Sequence, residues 1–115
     1  MNQILITGGL GYIGSHTVVE LIQAGYDPIL IDNLSESPIE VKDRIEKIVG
    51  REITFRQVEL CDRAAVDSVF KEFPDISGVI HFAAFLLVNE SVEAPLKYYH
   101  NNLLSTVNLL QSMEA

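Results

Sequence analysis

The chain has 115 residues, of which 48% are hydrophobic and 21% charged, with a net charge of −8 and a single cysteine, Cys61. This length predicts one domain with a substantial core, and the scattered cations and short apolar runs exclude nucleic-acid binding, anionic membrane binding and membrane spans. One cysteine excludes an internal disulfide, and the N-terminus lacks the basic start of a signal peptide, so a cytoplasmic location is expected.

The first half of the chain alternates short apolar runs with amphipathic stretches. The run 3–7 predicts a buried strand, and 12–25 predicts a helix that ends at a glycine. A second strand is predicted at 27–32, where Pro28 occupies the one end that tolerates a proline. Apolar residues at helical spacing then predict a helix over 37–50.

The second half repeats this alternation. A third strand is predicted at 53–60, and Asp62 is suited to cap a helix over 63–73. The run 78–84 predicts a fourth strand that is apolar on both faces. Pro95 fits the first turn of a last helix. Its apolar residues at helical spacing are Leu96, Tyr99, Leu103, Val107 and Leu110.

The order β-α-β-α-β-α-β-α predicts an α/β fold. Continuously apolar strands that are each followed by a helix are typical of a parallel sheet with helices on both faces. Right-handed crossovers favour a Rossmann-like doubly wound sheet with strand order 3-2-1-4.

A glycine-rich segment joins the first predicted strand to the first helix. Gly9, Gly11 and Gly14 match G-x-G-x-x-G, and Gly8, Gly11 and Gly14 stand three apart. One early glycine permits a sharp turn, Gly11 lets a pyrophosphate approach the backbone, and Gly14 lets helix and strand pack closely. Asp32, 18 residues after Gly14, can accept hydrogen bonds from an adenosine ribose and repel a 2′-phosphate. The pattern therefore predicts a site for NAD rather than NADP.

Two simpler interpretations remain open for the same residues. The glycines can form a turn that only joins strand to helix. Asp32 can likewise only start a turn, since aspartate is common at strand ends.

Several segments together resemble the extended short-chain dehydrogenase/reductase family, and within it the UDP-glucose 4-epimerase family. They are TGGLGYIGSH at 7–16, DNLS at 32–35, HFAA at 81–84, ESV at 90–92 and PLKYYHNN at 95–102. The resemblance runs from residue 4 to about residue 113 and selects the G-x-x-G-x-x-G spacing, with Gly9 supporting the turn.

The resemblance implies a set of NAD-binding residues. The glycine loop would hold the pyrophosphate, the residues after the second strand the adenosine, and those after the fourth strand the nicotinamide side. The implied residues are Gly8, Gly11, Tyr12, Ile13, Gly14, Asp32, Asn33, Leu34, Ser35, Ser37, Glu59, Leu60, Phe82, Ala83, Ala84 and Asn101.

The chain departs from the family pattern at three positions outside these segments. Glu59 stands where the family usually has aspartate, Leu86 where lysine is frequent, and Asn89 where glycine is frequent. Leu86 cannot donate a hydrogen bond to the nicotinamide ribose as a lysine would.

The family reaction also needs a Tyr-x-x-x-Lys pair, which inverts C4 of a UDP-hexose together with NAD. Four residues after Tyr12, Tyr26, Tyr98 and Tyr99 stand a histidine, a leucine, an asparagine and a leucine. We therefore expect these 115 residues to be the N-terminal, NAD-binding part of an epimerase, without the remaining strands and the UDP-sugar domain, and to bind NAD without turnover.

Two other functions remain open. One is a different nucleotide-sugar enzyme of the family, a dehydratase or decarboxylase. The other is a module that binds dinucleotide without catalysis.

The histidines and the sheet edge give the last expectations. His16, His81 and His100 fall on different elements, so no metal site is expected. His81 is interpreted as a satisfied core residue, His16 as capping or packing in the first helix, and His100 as solvated. In the order 3-2-1-4 the fourth strand is an uncharged edge, and the last helix is left partly uncovered. Both features favour a homodimer, and the alternative is a monomer in which the last helix folds over the edge strand.

Overall fold

The computed structural model describes residues 2–34, 38–82 and 95–114, except for the side chains of 95 and 97–101. The chain alternates strand and helix throughout the described ranges, as the sequence predicts. The elements are β1 (Gln3–Thr7), α1 (Tyr12–Gln23), β2 (Asp27–Asp32), α2 (Glu40–Val49), β3 (Thr54–Gln57), α3 (Arg63–Glu72), β4 (Ile76–His81) and α4 (Pro95–Glu114).

The four strands form one parallel sheet in the order β3-β2-β1-β4, which confirms the predicted strand order. Thr7 is in register with Ile31 of β2 and with His81 of β4. The carboxyl ends of the three neighbouring strands are therefore level, and the residues that follow them emerge at one edge of the sheet.

The chain divides into two compact units. The first contains residues 2–34, 38–57 and 75–82, with the described sheet, α1 and α2. The second contains residues 58–74 and 95–114, with α3 and α4. Among the described helices, none is long and apolar enough to cross a membrane.

The core of the first unit lies between the sheet and its two helices. Ile6 and Leu30 of the sheet meet Val18 of α1 and Ile45 of α2 in one buried cluster. Leu5, Ile29 and Ile31, which alternate with them along the strands, are also buried. Both faces of β1 and β2 are thus withdrawn from water, as their continuous apolar runs predict.

Local chemistry sets the helix boundaries. The Asp62 carboxylate accepts hydrogen bonds from the amides of Ala64 and Ala65, which confirms its predicted role as the cap of α3. Gly50 ends α2 in the left-handed conformation, at φ = +72°. Glu46 of α2 accepts from the Ile53 amide at 2.8 Å and pairs with Lys42 at 3.2 Å, and these bonds lower the pKa of its carboxyl group. The turn between α2 and β3 is therefore held by a side chain of the helix.

The predicted bounds of two strands, 53–60 and 78–84, are wrong, since β3 ends at Gln57 and β4 runs from Ile76 to His81. β3 is only four residues long because the chain turns soon after it, where the Asp62 amide donates to the Glu59 carbonyl. β4 begins at Ile76, two residues before the predicted start at Gly78. A register shift against β1 lies beside Gly78, so this glycine marks an irregularity inside the strand and not its beginning.

The last helix has an unexpected distribution of side chains. Its buried residues in the described part are mostly polar: Ser105, Asn108, Leu109 and Ser112, each at most 5% exposed. A large apolar set, which we call the apolar face of α4, is between 46% and 82% exposed. Its members are Leu96, Leu103, Val107, Leu110 and Met113. Tyr98 and Tyr99, interpreted from the sequence as packing residues, have side chains outside the described part.

Hydrogen bonds connect α4 to the rest of the second unit. Ser112 donates its hydroxyl to the Asp67 carboxylate of α3, and Arg63 of α3 donates to both Asp67 and Gln111. The bond from Ser112, followed by that from Arg63, lowers the pKa of Asp67. Asn108 donates to the Leu60 carbonyl at 2.7 Å. The polar face of α4 therefore faces inward because its groups find specific partners there.

Candidate functional site

The glycine-rich turn between β1 and α1 is tied to the end of β2. The Gly8 and Gly9 amides donate to the Ile31 carbonyl at 2.9 and 3.4 Å, and the Gly11 amide donates to the Gly8 carbonyl at 3.0 Å. Gly8 has φ = +65°, a left-handed conformation that glycine adopts without strain. This confirms the sharp turn predicted for an early glycine and assigns it to Gly8.

Gly14 marks the closest approach of α1 to that turn. A Cβ at Gly14 would lie 2.2 Å from the Gly8 carbonyl oxygen, which is a severe steric clash. The first turn of the helix therefore packs backbone against backbone, as predicted, with the contact falling just beyond the strand. Gly9 is also constrained, because its Cβ would meet the Leu30 side chain at 2.8 Å.

The N-terminus of α1 presents backbone amides that the helix itself does not use. Ser15 is the first residue whose amide bonds back, to the Gly11 carbonyl at 2.8 Å, and Gly11 provides no side-chain cap. The side chains of Tyr12 and Ile13 are exposed. Such a helix start favours an anion through its N–H groups and the helix dipole. The predicted approach of a pyrophosphate to Gly11 stays a prediction.

Asp32 is more deeply involved in the turn than the sequence predicts. It is 9% exposed, and its carboxylate accepts from the Leu10 amide at 3.3 Å and from the Leu34 amide at 2.8 Å. The second bond closes a turn in which Leu34 has φ = +64°. Because an ionised carboxylate offers about four acceptor positions, these two bonds leave capacity for ribose hydroxyls.

The end of β4 lies beside the end of β1. The Phe82 amide donates to the Thr7 carbonyl at 3.1 Å, and the buried Thr7 hydroxyl is hydrogen-bonded to Nδ1 of His81. Partial burial lowers the pKa of His81, which favours the neutral ring. His81 therefore has the hydrogen-bond partner that the prediction expects, but it is only partly buried and is not a core residue. Thr7 was not among the predicted site residues, although its place before the glycines could have indicated it.

Two further predicted site residues lie in the second unit. Glu59 is exposed, and its carboxylate accepts from the Cys61 amide at 3.1 Å. Leu60 is buried, and its carbonyl accepts from Asn108. Asn101 lies on α4, but its side chain is outside the described part, as are Ser35, Ser37, Ala83 and Ala84 entirely.

The first-unit residues are therefore brought together around one turn. Gly8, Gly11 and Gly14 shape it, and Asp32 and Leu34 border it at the end of β2. Asn33 lies in the same Asp32–Leu34 turn.

The remaining histidines have structural contacts where they are described. His16 Nδ1 lies 2.7 Å from the Tyr12 carbonyl oxygen, and the two rings are 4.7 Å apart between centroids. This confirms that His16 packs within the first helix, whereas the His100 side chain lies outside the described residues. Within residues 2–34, 38–82 and 102–114, no group of three or more histidine, cysteine, aspartate or glutamate side chains is arranged to hold a metal.

Comparison with known proteins identifies the family. The family described as GDP-mannose 4,6 dehydratase matches residues 5–115. The chain belongs to this family. Within the family it is similar to UDP-glucose 4-epimerases of Bacillus subtilis, 55% identical over 96% of this chain, and of Dictyostelium discoideum, 50% identical over 98%. The chain spans about a third of the length of these curated relatives, 32% and 33% respectively.

Solved structures of UDP-glucose 4-epimerases agree with this fold. UDP-glucose 4-epimerase of Stenotrophomonas maltophila, with bound NAD and formylated UDP-arabinopyranose, has a TM-score of 0.94 at 38% identity, over 99% of this chain and 34% of that one. The Bifidobacterium longum enzyme, in complex with NAD+ and UDP, has a TM-score of 0.93 at 42% identity, over 97% and 33%. The Rossmann-like fold predicted from the sequence is confirmed.

The contact at Gly14 gives a stability prediction. Gly14→Ala should lower the free energy of unfolding by roughly 1–3 kcal/mol or more, because the new methyl group must displace backbone. Gly78→Ala is the matched control, since its Cβ would meet only Ile4 Cδ1 at an ordinary 3.5 Å. Urea unfolding measures both variants. Equal stability of the two would contradict the close backbone contact.

Proposed function

We propose that this chain binds NAD and forms the cofactor-binding part of a UDP-glucose 4-epimerase. The observation that supports this best is that the glycine turn and Asp32 lie side by side and are connected by a hydrogen bond. The turn leaves the start of α1 open to an anion, and the same turn donates a hydrogen bond to a carboxylate that retains acceptor capacity. A dinucleotide needs these two features side by side, because it carries a pyrophosphate and an adenosine ribose.

The individual contacts follow the order of the cofactor. Backbone amides at Gly11, Tyr12 and Ile13 would hold the pyrophosphate, and Asp32 the ribose hydroxyls. The residues after β4, beginning at Phe82, would extend toward the nicotinamide. Glu59 and Leu60 are proposed to lie beside the adenine.

NAD in this role would take a hydride from C4 of a UDP-hexose and return it to the opposite face. The residues described here would bind and orient the cofactor. A tyrosine paired with a lysine four positions later would act on the sugar hydroxyl. These 115 residues contain no such pair, so we assign them no proton-transfer step.

A second candidate is a nucleotide-sugar dehydratase or decarboxylase. The description of the matching family, a 4,6 dehydratase, favours it. The relatives at 50–55% identity are epimerases, and they favour the first candidate. Both would use the same cofactor turn.

The first functional prediction concerns cofactor choice. The chain should bind NAD more tightly than NADP, because the Asp32 carboxylate repels a 2′-phosphate. Asp32→Asn should reduce this preference by roughly 1–3 kcal/mol, the scale of a charge-assisted hydrogen bond. Isothermal titration with the two nucleotides measures the difference.

A matched control separates this effect from general loss of charge. Asp27→Asn removes a carboxylate from the opposite end of the same strand, where Asp27 pairs with Arg51 at 3.1 Å. This variant should leave the ratio of the affinities for NAD and NADP unchanged. Equal affinity of the unmodified chain for both nucleotides would contradict the prediction.

The second functional prediction is that these 115 residues alone do not interconvert UDP-glucose and UDP-galactose. They lack the tyrosine–lysine pair that the reaction needs. A coupled assay, run on protein expressed in a host without its own epimerase, tests this. Turnover that follows the protein peak through gel filtration would refute it.

The third concerns assembly, since we propose a homodimer. β4 is the edge of the described sheet, and the apolar face of α4 is exposed. Exposed apolar surface of this kind favours association. Leu110→Lys should therefore shift the mass measured by light scattering toward the monomer, whereas Ile48→Lys, at an exposed apolar position of α2, should not. A concentration-independent monomer in the unmodified chain would overturn the proposal.

A further inference from the structure

Two hydrogen bonds, to the carboxylate and to the carbonyl of Glu59, stabilise the turn between β3 and α3. Val58 and Leu60 are buried, whereas Glu59 between them is exposed. The Glu59 carboxylate accepts from the Cys61 amide, and the Glu59 carbonyl accepts from the Asp62 amide at 2.9 Å. The turn therefore presents the Glu59 side chain outward from a fixed backbone. We call residues 58–62 the Glu59 turn.

One side chain from a distant part of the sequence reaches this turn. Asn108, 48 residues further along the chain, donates from Nδ2 to the Leu60 carbonyl at 2.7 Å. Both residues are nearly inaccessible to water, at 5% and 6% exposure. A buried amide and a buried carbonyl each cost free energy unless they are paired, so this bond fixes where α4 and the Glu59 turn meet.

We infer that Asn108 is a positioning residue for adenine recognition, acting through the Leu60 carbonyl on the placement of Glu59. This inference rests on the proposed function, in which Glu59 and Leu60 lie beside the adenine. A carboxylate accepts a hydrogen bond from the exocyclic amino group of adenine. It repels the carbonyl oxygen that replaces this amino group in hypoxanthine. Discrimination between the two bases therefore reports the position of the Glu59 carboxylate.

Asn108 does not touch the nucleotide in this scheme. Its effect comes from fixing the backbone at Leu60, the residue directly after Glu59. If Asn108 had a purely structural role, its loss would lower the fraction of folded protein and weaken the binding of both dinucleotides equally. A positioning role changes the ratio of their affinities, which loss of folded protein leaves unchanged.

The experiment titrates the chain with NAD and with nicotinamide hypoxanthine dinucleotide. The unmodified chain should prefer NAD by several-fold. Asn108→Leu, which keeps the branched shape of the side chain but removes the donor, should weaken NAD binding by about tenfold, the scale of losing a partner for a buried carbonyl. The preference between the two dinucleotides should fall toward one.

Two controls lie on the same buried face of α4. Ser105→Ala removes a hydroxyl whose hydrogen bond lies within the helix, to the Asn102 carbonyl at 3.2 Å. Ser112→Ala removes the bond to Asp67 of α3. It should therefore destabilise the second unit at a place that does not involve the Glu59 turn. Both should keep the base preference of the unmodified chain.

The outcomes separate this inference from the function on which it rests. If the unmodified chain binds neither dinucleotide, the proposed function fails. If it prefers NAD and Asn108→Leu keeps both the affinity and the preference, the function stands and the role of Asn108 is overturned. An equal loss of preference in Ser112→Ala would also overturn it, because the effect would then be general.

A measurement on the unmodified chain covers the case in which Asn108→Leu does not fold. The side-chain amide resonance of Asn108 should exchange slowly with solvent and shift when adenosine monophosphate binds. The Ser105 amide should shift less. An Asn108 resonance that stays unchanged while others respond to the nucleotide would contradict the inference.

Discussion

The close contact between Gly14 and the Gly8 carbonyl governs the geometry of the first unit. With no side chain between them, the first turn of α1 lies directly against the backbone that leaves β1. The turn can then bond to the Ile31 carbonyl at the end of β2, and the Leu10 amide comes within reach of Asp32. A methyl group at residue 14 would separate these parts, so one steric constraint links the sheet, the helix start and the acid.

Asp32 shows that a structural role of a residue is compatible with a functional role proposed for it. From the sequence, an aspartate at a strand end starts a turn or binds a ribose. The carboxylate does start a turn, through the Leu34 amide, and it also accepts from the glycine segment. These bonds orient its oxygens before any ligand arrives. Preorganised acceptors lose less entropy on binding than mobile ones, so the structural bonds support the proposed ribose contact.

The sequence predicts most of the sheet because its signals are local. The apolar runs place β1 and β2 at their observed bounds, and Asp62 and Gly50 mark helix ends through capping and a left-handed φ. The errors arise where tertiary contacts determine the bounds of a strand. β4 starts before Gly78 because β1 pairs with the residues ahead of it.

The geometry of the candidate site is predictable from the sequence to a similar extent. Gly8, Gly14 and Asp32 carry signals in their spacing, since a turn and a close packing need glycine at fixed positions. The bonds from Leu10 to Asp32 and from Asn108 to Leu60 join residues far apart in sequence. Nothing in the spacing of either pair indicates that they meet, because the fold alone brings them together.

The orientation of α4 follows from the same balance between local pattern and specific partners. Apolar periodicity alone would turn Leu103, Val107 and Leu110 inward, and burying three such side chains would contribute several kcal/mol. That rotation would remove Asn108 from the Leu60 carbonyl and Ser112 from Asp67, and would leave polar groups in the interior without partners. Hydrogen bonds are directional where apolar contacts are not, so the polar face selects one rotation of the helix. The apolar face of α4 is then free to be covered from outside, which is the arrangement that association between copies requires.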